Sequence, residues 1–256
     1  MRAAVFAYSL GAYALFLAVF LYLVGFVGDL GVPRSIDAGL HSERAEAIVI
    51  DLLLISLFGL QHSVMARPTF KRWIGRHLPA AMERSTYVLL ASLVLALLMG
   101  QWRPIPLTLW QADGATATAL WAAFGFGWAT VLLSTFLINH FDLFGLRQAY
   151  LHLVQRPLIP LPFRTTLLYR LVRHPIMLGF LIAFWFTPHM TVGHLLFAVG
   201  MTIYIVIGVH HEERDLVDAL GREYVDYRRR TPAFIPGMRV AHGDAGRSAA
   251  ERRSAP

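Results

Sequence analysis

Four short stretches of this 256-residue chain set titratable or polar side chains beside long apolar runs: Gln61-His62, Asn139-His140-Phe141-Asp142, Arg173-His174-Pro175 and His210-His211-Glu212-Glu213. An imidazole titrates near neutral pH, so His62 and His140 are candidates to take a proton from a weak acid. Proline is tolerated in a first helical turn and biases the residue before it away from helical dihedrals, which predicts a helix start at Pro175. The free amides of Ile176 and Met177 would then form an anion site beside the Arg173 guanidinium. Gly179, four residues on, opens the way for a ligand or another helix. Glu212 and Glu213 can accept from an amine or from ribose hydroxyls, or pair with Arg214 and Arg222. An apolar cleft offering an anion site and carboxylates suits a zwitterionic ligand. Each stretch also has a plain reading as a solvated or capped helix end, or a snorkelling arginine, and coincidence of all four at one depth favours a shared site.

The elements that must position these groups follow from composition. The chain is 56% hydrophobic and 15% charged, with mean hydropathy +0.53, where a soluble domain would carry about 25% charged residues. Only helices or closed barrels satisfy their backbone in lipid, and the apolar runs lack the alternation of a barrel. The expected fold is therefore all-α, a polytopic integral membrane helical bundle. The net charge of +7 comes from 23 basic residues, of which only Lys71 is lysine. Most flank apolar runs, which reads as topology on an anionic leaflet rather than nucleic-acid binding. No cysteine is present, which excludes disulfides, thiolate metal sites and a cysteine nucleophile. Met1 to Gly25 is too long for a signal-peptide core and is expected to be a retained span.

Six membrane segments are expected, near Ala3–Val27, Ala47–Met65, Thr86–Gln101, Ala117–Asn139, Ile176–Thr187 and Val192–Val209, within a single domain of residues 1–239. The fifth is too short to span alone and is expected to be a partial span or a buried hairpin arm. Arginines concentrate after the second, fourth and sixth segments, which places those loops, both termini and all four polar stretches on the cytoplasmic side. Asp51 falls on the outer half of the second segment, where a structural hydrogen bond is expected. Pro157, Pro160 and Pro162 break the linker after the fourth segment, with a short interfacial helix around Leu151–Val154 before it. Leu216, Leu220, Tyr224 and Tyr227 recur at helical spacing, predicting an amphipathic helix from Glu212 to Arg230. Residues 240–256 are small, polar and basic, and disorder is expected there.

Arg173-His174-Pro175 with Gly179, Glu212-Glu213 with Leu216, and the tail with Gly221, Tyr224, Tyr227, Pro232 and Pro236 resemble the isoprenylcysteine carboxyl methyltransferase superfamily of integral membrane enzymes. That resemblance implies S-adenosylmethionine bound by a core at residues 173–236. The implied cofactor contacts are Tyr169, Arg173, His174, Met177, Gly179, His211, Glu212, Glu213, Tyr224 and Tyr227. A more specific resemblance, from about Ile50 to Pro236, is to the bacterial methanethiol S-methyltransferases. Its carriers are the stretches from Gln61 to Arg67, Glu83 to Leu89, Asn139 to Gln148, Pro160 to Arg164 and Phe180 to Trp185.

The resemblance implies methyl transfer from S-adenosylmethionine to methanethiol, giving dimethyl sulfide, in a bacterial inner membrane. The thiol must lose its proton to attack, to His62 or to His140, the latter tuned by Asp142. Gln61, Phe141, Phe144 and Trp185, with Phe184, are the expected wall around a small volatile thiol arriving through membrane lipid. No metal, nucleic acid or obligatory protein partner is expected. Two alternatives stay open: a larger thiol or isoprenyl acceptor, and a non-enzymatic haem- or metal-binding membrane protein like NnrU. Against the latter, no two of the eleven histidines are four residues apart, the spacing one helical face uses for a metal.

Overall fold

The computed structural model describes residues 1–237; the tail expected to be disordered, 240–256, lies outside the described residues. Five helices are long and apolar enough to cross a membrane: α1 (Arg2–Gly28), α2 (Arg44–Ala66), α4 (Ala80–Gln101), α5 (Gly114–Ile138) and α10 (Val192–Leu220). Between them lie the short helices α3 (Pro68–Ile74), α6 (His140–Leu143), α7 (Leu146–Leu153), α8 (Leu168–Leu171) and α9 (Pro175–Trp185), and α11 (Arg222–Arg230) follows. Large apolar side chains such as Leu53, Leu60, Phe126 and Ile203 are more than half exposed on the outer faces. Water would penalise such a surface and lipid would not. The chain is an all-α integral membrane protein.

At 11 residues, α9 rises about 16 Å, roughly half of a bilayer core of about 30 Å. It is the half-length arm that the sequence implied, and α10 returns beside it. Two span boundaries differ from expectation by more than three residues. The third span starts at Ala80 rather than Thr86, because Glu83 suits the positive end of a helix dipole and does not interrupt it. The sixth span does not end at Val209: α10 runs unbroken through His210–Glu213 to Leu220. The break falls at Gly221, whose φ of 58° favours glycine, so the tail helix is only α11. Finally, β1 (Thr108–Gln111) and β2 (His189–Thr191), read from sequence as loop, pair antiparallel.

Phe26, Trp102, Phe184 and Phe197 anchor one buried aromatic core, with Phe26 edge-on to both Trp102 and Phe197 at 6.0 Å. At the β1–β2 end, Asp51 is fully buried and accepts from the Arg103 amide at 2.9 Å, the structural role expected of it. The opposite end gathers the starts of α1, α4 and α9 and the ends of α2 and α10. Tyr8 bonds Thr86 there at 2.9 Å, and Arg67 pairs with Asp215 at 3.2 Å. The N-terminus and residues 228–237 lie at this same arginine-rich end.

Gly179 serves a helix approach. A Cβ on Gly179 would lie 2.7 Å from the Gly127 carbonyl oxygen, and one on Gly127 would lie 2.7 Å from the Ala183 amide. Small residues let helix backbones meet in lipid, so this pair sets how closely α9 rides on α5. Gly127→Ala and Gly179→Ala should each cost about 1–3 kcal/mol by overpacking, read as a lower unfolding temperature in detergent. Gly125→Ala, where a Cβ meets nothing within 4 Å, should not lower it.

Candidate active site

The half-length α9 begins inside a knot of charge. Its Pro175 is the first helical residue, and the preceding His174 makes no side-chain cap, so the first amides of α9 are left without a capping partner. The Arg173 guanidinium donates through Nε to Glu213 Oε1 at 2.7 Å, and through Nη1 to the carbonyls of Arg228, at 3.1 Å, and Thr231. The backbone joins in: the Arg173 and His174 amides donate to the carbonyls of Pro232 and Ala233 at 2.9 and 3.1 Å. Arg173 is thus spent inside the protein, stapling α9, α10 and the C-terminal segment. The guanidinium read from sequence as an anion anchor has a structural task instead. Nor does Glu213 pair with Arg214 or Arg222, since its carboxylate is shared by Arg173 and His174 Nε2, the latter at 3.0 Å.

His174 is buried, which opposes its charging, but Glu212 and Glu213 outweigh that and raise its pKa above 6.5. Glu212 lies 3.6 Å from His174 Nδ1 and has half of its side chain exposed. It is the carboxylate left available to a ligand. Tyr227 donates to the Tyr169 carbonyl at 2.5 Å and Tyr169 to that of Ser134 at 3.4 Å. Tyr224 is buried with an unpartnered Oη. Burial first, then the carboxylate of Glu213, raises the Tyr224 phenol, and burial pushes Tyr227 to about 12, so both stay neutral donors. His211 is exposed beside this group, and Met177 and Gly179 face the packed core.

About 12 Å along α10 from Glu212, two and a quarter turns, lies Tyr204, and against it the second candidate group. The His62 ring is boxed by Tyr87 at 5.0 Å, Phe58 at 5.4 Å and Tyr204 at 6.0 Å. Its Nδ1 is buried and unpartnered, as is Oε1 of neighbouring Gln61, whose Nε2 meets the Met65 sulfur at 2.8 Å. Gly59 leaves room for the Tyr204 ring, which a Cβ would meet at 3.1 Å. Phe58 is one helical turn before His62, a spacing that puts both on one face and was readable; Tyr87 and Tyr204 are brought in by packing and gave no such signal.

His140 is placed apart. It sits between α1 and α5, stacked on Phe136 at 4.2 Å, with Nε2 bonded to Tyr13 Oη and Nδ1 to Thr135 Oγ1, both at 2.8 Å. Both ring nitrogens are satisfied, and burial lowers its pKa. Asp142 pairs with Arg147 at 2.8 Å rather than with His140. Phe144 is buried against Phe16 at 4.1 Å and Phe141 is more than half exposed. Trp185, at the far end of α9, donates to Thr202 of α10 at 2.9 Å.

A family model described as NnrU protein matches residues 51–243, covering α2 through the tail. The chain belongs to the NnrU family. It is 53% identical over 237 residues to methanethiol S-methyltransferase 2 of Bradyrhizobium diazoefficiens, covering 93% of this chain and 92% of that one. It is 54% identical over 230 residues to the methanethiol S-methyltransferase of Mycobacterium tuberculosis, at 90% and 94% coverage. Methanethiol S-methyltransferase 1 of B. diazoefficiens is 50% identical over 235 residues, at 91% and 82%. No solved structure matches the chain. In this NnrU-family chain the matched region contains both the His62 box and the Glu213 knot.

Two outcomes test the knot. Glu213→Gln leaves Arg173 buried beside no counter-charge, a loss of about 3–5 kcal/mol, and hydrogen exchange at the Arg173 and His174 amides should accelerate as the tail releases. The contribution of His174 is present in full below pH 6.5 and fades as pH rises through its raised folded value. Protection of the same amides should therefore fall on going alkaline, and His174→Gln should flatten that dependence.

Proposed function

We propose that the protein is an S-adenosylmethionine-dependent methyltransferase that methylates methanethiol to dimethyl sulfide, at the cytoplasmic face of a bacterial inner membrane. The observation that carries this reading is the buried, unpartnered His62 Nδ1 inside an aromatic box of Phe58, Tyr87 and Tyr204. The names of relatives at about 50% identity over most of the chain favour methanethiol over a larger thiol or lipid acceptor.

The residues at the α9–α10 end fit the donor. The uncapped first amides of α9 suit its carboxylate, Glu212 suits its amine or ribose hydroxyls, and the unpartnered Tyr224 Oη is a further polar contact. When bound, S-adenosylmethionine supplies an electrophilic methyl group on a sulfonium. The protein then has two tasks. It must turn the thiol into a thiolate, since only that form is a competent nucleophile, and it must hold the sulfur in line. His62 takes the thiol proton on Nδ1. Phe58, Tyr87 and Tyr204 fix its ring and exclude water, and their apolar faces suit a substrate small enough to enter from lipid. His140, with no free nitrogen, holds α1 to α5.

His62→Gln should lower dimethyl sulfide formation by about 10²–10⁴-fold, the usual worth of a general base, while binding of the donor persists. His140→Gln should leave turnover per folded molecule near wild type and lower the unfolding temperature instead. Headspace detection of dimethyl sulfide from membranes given methanethiol checks both. Full activity in His62→Gln contradicts the assignment.

A further inference from the structure

Beside the His62 box, and sharing Tyr87 with it, a cavity of about 60 Å³ is lined by Met65, Phe70, Lys71, Glu83, Arg84 and Tyr87, among others. That is room for several water-sized groups. It lies where α2 ends, the interfacial helix α3 turns, and α4 begins. Two cations, Lys71 and Arg84, and one carboxylate, Glu83, line it, and among the described residues neither cation has a carboxylate within 4.0 Å, which leaves the cavity net positive. The nearest other arginine, Arg67, is already paired with Asp215. Burial, and after it the charge of Arg84, pulls the Lys71 ammonium below its ordinary range, against the opposing charges of Glu83 and Asp215. Two like charges held half-buried on one small cavity repel each other at a cost that an anion between them would remove.

We propose that this cavity binds the phosphate of an anionic phospholipid headgroup, with Lys71 and Arg84 as its ligands. The surroundings favour a lipid over free phosphate. Exposed apolar side chains lie further along the same two helices, Leu60 and Val64 on α2 and Leu90 and Leu93 on α4, and acyl chains would lie against them. Trp73 of α3 is more than half exposed, packed at 5.4 Å on Phe70, and anchors the helix at headgroup level. Basic pockets between helices at an interface recognise anionic headgroups in this way. An occupied cavity also covers Tyr87, one wall of the His62 box, and so closes that box from the aqueous side. This inference stands on the cavity and its cations, and does not need the proposed reaction.

The test uses the full chain in detergent, mixed with phosphatidylglycerol or phosphatidylcholine of matched acyl chains, with retained lipid counted by native mass spectrometry. Two cationic contacts should give phosphatidylglycerol a preference on the order of tenfold. Lys71→Gln and Arg84→Gln should each remove most of that preference, Lys71→Arg should keep it, and Arg103→Gln, at the other end of the bundle, should not change it. Equal retention of the two lipids, or equal loss in Arg103→Gln, overturns the proposal. If inorganic phosphate added alone displaces phosphatidylglycerol at millimolar concentration, the lipid is not the specific occupant and the headgroup assignment fails.

Discussion

The Glu213 carboxylate holds together parts of the chain that otherwise have no reason to meet. It accepts from Arg173 at the start of α9 and from His174 beside it, while Arg173 also binds the tail carbonyls of Arg228 and Thr231. Charge buried at a membrane boundary is costly and persists only when paired. Here the pairing closes a ring: α10 supplies the acid, α9 the bases, and the C-terminal segment the backbone oxygens. With that ring in place, the first amides of α9 and the half-exposed carboxylate of Glu212, beside His174, are held at one end of the bundle.

The short α9 sets how the neighbouring helices can pack. The arm is about 16 Å long, and its end is tied to α10, where Trp185 donates to Thr202 and the Phe184 carbonyl accepts from His194 Nε2 at 2.9 Å. The Gly127–Gly179 contact presses the arm onto α5, while α10 meets α2 through Tyr204 against Phe58 and His62. Along α10 the chain passes from Glu212 at the surface to Tyr204 and the His62 ring within the apolar zone. A charged group and an apolar one can therefore be held one above the other, as transfer between a charged donor and a small apolar acceptor requires.

Much of this was legible in the sequence. Apolar run lengths gave five spans and one short arm, arginine placement gave the common end, and Arg173-His174-Pro175 gave the start of α9. What was not legible is which neighbour each charge would choose. Arg173 reads as a ligand-binding guanidinium until the tail carbonyls are seen around it, and His62 and His140 read alike until packing leaves one nitrogen bare and satisfies both of the other ring's. The Glu212–Arg230 helix was misjudged because a polar pattern at helical spacing continues α10 as readily as it starts a new helix, and only the φ of Gly221 separates them. The strands β1 and β2 are three or four residues each, too short to show a period.

On the proposed function, one polar end of the bundle, where α2, α9 and α10 converge, faces the cytoplasm and receives the methyl donor. The chain has no cysteine, so a single His211→Cys change on the exposed side of α10 gives a clean reporter. A membrane-impermeant maleimide should label it only in inside-out vesicles, and S-adenosylmethionine should slow that labelling. Labelling from the outer face, or a rate indifferent to the donor, would contradict the account.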